Sequence, residues 1–140
     1  MKKILLMALI LISVNVYADM DTYNCTVKDV TQADSTGKLL HVRKVDTKII
    51  WSAFVDSTFA INKSNGMVVG EFVSNQNYGA DKTLVLERSG HDNPYQLQTI
   101  YKPNTFILYL AVNDYGDYSS SGKIPFYGVM RSLLISGICK

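Results

Sequence analysis

From residue 23 onwards the chain reads as short apolar runs with a period of two, broken by glycine and small polar residues. Tyr23, Cys25 and Val27 share one parity, and Leu40 and Val42 do the same within 39–45. Both segments predict half-buried strands. Residues 49–54, Ile-Ile-Trp-Ser-Ala-Phe, fit either a strand or a short helical turn. Runs at 58–61 and 67–70 flank Asn62-Lys63-Ser64-Asn65-Gly66, and Asn-Gly supplies the positive-φ residues of a tight β-turn, so this pair predicts a hairpin. A strand follows at 83–87, with Leu84 and Leu86 taken as inward, then turn chemistry from Ser89 to Pro94. In 95–101 the alternation puts Tyr95, Leu97, Thr99 and Tyr101 on one side. Residues 106–112 are apolar on both parities, as in a strand covered on both faces. Runs at 124–130 and 133–139 complete the set, and Pro125 puts the former near an edge or a strand start.

About eight strands with no long helix predict an all-β domain, a small antiparallel β-barrel. A two-sheet β-sandwich is the alternative. The cysteines favour the barrel. Cys25 and Cys139 lie near the two ends of the chain, and a disulfide between them requires the first and last strands to be neighbours, which is what closing an up-and-down sheet needs.

The first residues change the picture of compartment. Met1-Lys2-Lys3 is a short basic start, Ile4 to Ile12 an unbroken apolar run, and Val16-Tyr17-Ala18 a small-x-small cleavage pattern. Residues 1–18 therefore read as a signal peptide, too short to span a membrane, with residues 19–140 as a single β domain. The double-lysine start and compact leader point to bacterial export, hence the periplasm or the medium. About 120 of the 140 residues remain after cleavage, one domain's worth. Lys2 and Lys3 account for the whole net charge of +2, so the exported chain is neutral. A neutral chain lacks the basic excess that grips nucleic acid or an anionic membrane, and neither class is expected as a partner.

Candidate chemistry is sparse. Ser89, His91 and Asp92 carry the letters of a hydrolytic triad, but neighbours in one loop do not converge on one point and the Gly-x-Ser-x-Gly elbow is missing. The two glutamates, Glu71 and Glu87, carry no glycosidase motif. Asp114 and Asp117 lack the glycine and terminal glutamate of a calcium loop. His41, in parity with Leu39 and Arg43, reads as an exposed strand histidine. No cofactor motif appears, and no enzyme activity is expected.

The loops are richer. Residues 75–81 carry Tyr78, and 113–122 combine Tyr115 and Tyr118 with Ser, Gly, Asn and Asp. Rigid amphipathic aromatics among adaptable hydrogen-bonding neighbours are the composition of recognition loops. Tyr23-Asn24-Cys25, Ser89-Gly90 followed by Tyr95, and the closing Gly137-Ile138-Cys139 are together similar to the layout of small bacterial periplasmic inhibitors of C-type lysozyme. In those proteins a Ser-Gly-x-x-Tyr segment enters the enzyme cleft; here His91 to Pro94 separate Gly90 from Tyr95. The resemblance implies a short β-barrel and an inhibitory loop at Ser89, His91 and Tyr95. The expectation is an exported, non-enzymatic binding protein that neutralises a hydrolase or toxin, with Tyr78, Tyr115, Tyr118, Ser89, His91 and Tyr95 as binding residues. A barrel carrying a lipid or other small apolar ligand is the alternative.

Overall fold

A computed structural model describes residues 21–43, 50–76, 79–90, 92–102 and 106–140. The leader, with its cleavage site near Ala18, lies outside the described residues, as do Tyr78 and His91. The strands are β1 (Thr22–Ala33), β2 (Leu39–His41), β3 (Thr58–Asn62), β4 (Val68–Gly70), β5 (Ala80–Glu87), β6 (Tyr95–Tyr101), β7 (Ile107–Val112), β8 (Ile124–Met130) and β9 (Leu133–Cys139). A 3₁₀ helix occupies Ile50–Phe54, and a five-residue helix, α1, Asp117–Ser121.

All pairings are antiparallel, in the order β4-β3-β1-β9-β8-β7-β6-β5, with β2 beside the second half of β1. The last five strands form a plain meander. β9 then returns to β1, so the terminal strands are central neighbours, and Cys25 pairs with Cys139 in register and in a disulfide. Eight strands curl into a half-barrel. The curl brings inward side chains of distant strands into contact: Phe59 on β3 meets Phe126 on β8 edge-on at 5.1 Å, and Tyr23 on β1 meets Tyr95 on β6 at 5.5 Å. Leu97, Leu108, Leu110, Leu133 and Ile135 fill the space between them and are fully buried.

Two sequence expectations are corrected, and one that was left open is settled. Leu84 and Leu86 point outward, at 36% and 47% exposure, while Val85 packs on the core. The run Leu-Val-Leu is apolar on both parities, and the β3–β4 turn settles which one is inward, because Gly66 sits against the Thr83 and Val85 side chains. Of the ambiguous run, Ile50–Phe54 takes the helical turn as a 3₁₀ helix, with Phe54 buried against Trp51 and Phe72. β2 is three exposed residues instead of a half-buried strand; Leu40 is exposed and Val42, just beyond it, is buried.

No ladder joins β4 to β5. The seam is filled by the side chain of Asn75, whose Nδ2 donates to Gly66 O (2.7 Å), Thr99 Oγ1 (3.0 Å) and Thr83 Oγ1 (3.3 Å). Its Oδ1 accepts from the Val68 amide at 2.7 Å, and its own amide donates to Val68 O. The edge of β4 is thereby capped by the chain's own loop. Tyr101 adds a hydroxyl donation to Ser74 O at 2.6 Å, and Arg88 ties the end of β5 to the carbonyl of Ser64 at 3.1 Å.

Candidate functional site

The registers decide which loops share an end. Thr22 pairs with Asn62, Cys139 with Ile124, Val112 with Tyr95, and Gln96 with Glu87. The start of β1, the β3–β4 turn, the β5–β6 loop and the β7–β8 connection therefore meet at one end. Of the three segments singled out in the sequence, this brings together the 113–122 loop and the described residues of the β5–β6 loop, while the third, 75–81, follows β4 from the opposite end, with Tyr78 outside the described residues.

Beneath them lies a half-buried polar cluster. The Tyr23 hydroxyl donates to Asp114 Oδ2 at 2.6 Å, Lys63 Nζ stands 4.1 Å from the centre of the Tyr23 ring, and Lys63 Nζ lies 3.9 Å from Asp114 Oδ2. Ser89 acts in the opposite sense to Asp114 on the Tyr23 phenol, lowering its pKa. Burial, reinforced by the bond to Asp114, holds the Tyr23 phenol far above its ordinary ionisation range. Burial also pushes Tyr95 up to about 12. Both phenols stay protonated through the physiological range, so they act as pins and not as proton-transfer groups.

Tyr95 does not belong to the loop surface. It is 1% exposed, packed on Tyr23, with its hydroxyl 3.4 Å from Asn62 O. The tyrosine that the lysozyme-inhibitor layout would insert into a cleft is a core residue here. Ser89 is at the surface. Tyr118 is 47% exposed and meets the half-buried Tyr115 edge-on at 6.5 Å. Two serines that follow Tyr118 are committed to local structure, since Ser120 Oγ donates to Asp117 O and Ser121 Oγ to Tyr118 O.

The carboxylates singled out in the sequence lie apart from one another. Glu71 follows Gly70 at the far end of β4, whereas Glu87 closes β5 at the loop end, so the two carboxylates do not face one another. Asp114 is turned toward Tyr23 and Lys63. Among the described residues no three His, Cys, Asp or Glu side chains gather as a metal site, and no helix is long and apolar enough to cross a membrane. The sequence reading missed Tyr23, Lys63 and Asp114 as a unit. The only signal for it was the inward parity of Tyr23, because the partners come from turns 40 and 91 residues away. Compared with protein-family models, curated proteins and solved structures, the chain matches none of them.

Proposed function

We propose that this chain is an exported, non-enzymatic binding protein that docks on another protein through the loop end, as an inhibitor or immunity-type partner of a hydrolase or toxin. The observation that carries the reading is the convergence of the 113–122 loop with the described residues of the β5–β6 loop over one braced cluster, with the Tyr118 ring presented to solvent. Loops held by a rigid base lose little freedom on binding, which favours affinity. The disulfide accords with an oxidising compartment. The interior weighs against the carrier alternative, since the inward Leu97, Leu108, Leu110, Tyr95 and Tyr23 pack on one another where an apolar ligand would sit.

The test is native mass spectrometry of the protein released gently from the envelope or medium of its source, beside a Tyr115→Ala, Tyr118→Ala double variant. A stoichiometric protein complex that the double variant loses, at unchanged melting temperature, is the expected result. A small adduct lost on denaturation would instead revive the carrier reading. A large loss of stability in the double variant would return both rings to a structural role.

A further inference from the structure

Strand β1 carries a bulge. Val27 pairs with Gly137 and Asp29 with Ser136, which leaves Lys28 as the extra residue. Gly137 permits it, because a Cβ there would collide with the carbonyl of Thr26. The consequence is that Asp29 joins Lys28 on the outer face of the sheet instead of turning inward. There it meets His41 of β2, whose Nδ1 lies 3.0 Å from both carboxylate oxygens, and Thr31, whose hydroxyl is 3.4 Å from Oδ2. Both neighbours contact the carboxylate, which remains partly open to solvent.

Across β9 from this cluster, the outer face is aromatic and apolar. Tyr109 and Tyr127 stand with ring centres 6.3 Å apart, Tyr127 is 48% exposed, and Leu134 is exposed beside them. Tyr127, Ser136 and Asp29 are register partners on β8, β9 and β1, so the aromatic wall and the carboxylate are two strand spacings apart, roughly 9–10 Å. Between them runs a shallow groove of about 240 Å³, floored by Leu134 and Ser136. Among the described residues no Lys or Arg lines it and Asp29 is its one acid, while the adjacent Lys28 is engaged with Asp56 at 3.1 Å.

A groove lined by one carboxylate, an apolar floor and two tyrosines is complementary to a cation on an apolar stem. Its volume is below the roughly 300–1,000 Å³ of sites that enclose whole small molecules. It accommodates one side chain whose remainder stays outside. We propose that this groove receives the guanidinium of an arginine carried by a partner polypeptide, the stem lying on Leu134 against the Tyr127 ring and the head reaching Asp29. Arginine is favoured over lysine because its planar head both stacks on tyrosine and offers paired donors to a carboxylate. This face is separate from the loop end, and the inference stands independently of the reading given to the loops.

The probe is an acetylated, amidated Gly-Arg-Gly peptide titrated into the intact oxidised protein, read by NMR shifts of the Tyr109 and Tyr127 rings and the Leu134 methyls. The citrulline and lysine counterparts serve as comparisons. Saturable shifts at these residues are expected, with at least tenfold weaker binding of the citrulline peptide and a clear preference over lysine. Asp29→Asn should abolish the difference between arginine and citrulline, and Tyr127→Ala should weaken both. The Tyr115→Ala, Tyr118→Ala variant should bind the arginine peptide as the native protein does, so failure of the loop reading leaves this result distinguishable. Equal binding of citrulline or lysine, shifts confined to 113–122, or tighter binding of a neutral oligosaccharide at the same residues would each overturn the assignment. The citrulline contrast is made on the native chain, so the test survives a variant that does not fold.

Discussion

Asn75 offers the sharpest test of how the half-barrel is closed. Replacing it with alanine removes the donor to Gly66 O and the acceptor of the Val68 amide, both at 2.7 Å. Neither backbone group has an obvious substitute, since the seam around them is buried: Asn75 is 3% exposed and Thr99 fully buried. Thr83 and Thr99 are better placed, because their hydroxyls already bond one another at 2.9 Å. The loss is therefore counted as two stranded backbone groups at about 1–3 kcal/mol each, with a small added term for the vacated volume, giving about 3–5 kcal/mol. Thr83→Val removes one partly exposed hydroxyl and should cost about 1 kcal/mol. The assay is urea unfolding of the oxidised protein, followed by far-UV circular dichroism and by fluorescence of the single tryptophan, Trp51. Hydrogen exchange at the Val68 amide gives a local readout of the same bond. A cost below about 1 kcal/mol for Asn75→Ala, with Val68 protection unchanged, would mean that the seam closes by apolar packing and that the polar staple is incidental.

Three further outcomes follow from the same geometry. Reducing the Cys25–Cys139 bridge, or replacing both cysteines with serine, reopens a loop of 114 residues and should cost up to about 5 kcal/mol in the denaturant assay; freshly exported protein should show no free thiol on denaturation, and two titratable thiols would refute the bridge. Tyr95 is held near 12 when folded against about 10 when unfolded, so its contribution is complete below pH 10 and is lost as pH rises from about 10 to 12, by up to about 2–3 kcal/mol. Tyr23 extends the same trend to higher pH, and stability that stays flat to pH 12 would contradict the burial of both phenols.

The period-two signal located most strands, and for a physical reason: where one face is buried, parity is written into the residues. Tyr95, Leu97, Thr99 and Tyr101 alternate cleanly and are all buried. The hairpin around Asn65-Gly66 was legible because a positive φ at Gly66 (+72°) is a local demand that the residue type answers. Parity failed at Thr83 to Leu86, where both faces are apolar and a bulge between Val85 and Glu87 shifts the register. Asn75 was indistinguishable from a loop residue, since its importance lies in Thr99, 24 positions away. The same holds for Asp29. Its outward turn depends on Gly137 at the opposite end of the chain, and no local pattern reports a bulge made by the partner strand. Loop composition singled out Tyr115 and Tyr118, whereas Tyr95 entered through the lysozyme-inhibitor resemblance, against its own parity with Leu97, and the parity is what its burial follows.

The two sheet edges are treated unequally, and this bears on how the loop end works. β4 is closed by its own following loop through Val68 and Asn75, whereas β5 is regular only between its bulges at Asp81 and Leu86, which discourage further strand addition. An open curled sheet would ordinarily let its two edges breathe, and the loops they carry would move with them. Here Arg88 crosses the seam at the loop end to the Ser64 carbonyl, and Asn75 crosses it further along to Thr83 and Thr99. The β3–β4 turn is in turn linked to the 113–122 loop through Lys63 and Asp114, and that loop to β1 through Tyr23. Elements from both halves of the sheet therefore share one set of braces, and a partner docking on Tyr118 would meet a surface already ordered by contacts made below it. It follows that Asp114→Asn, although not itself part of the exposed surface, should loosen the 113–122 loop in hydrogen exchange while leaving the Val68 amide protected. Loss of protection at both places together would show that the loop end and the seam unfold as one unit, and the separation argued here between brace and closure would be wrong.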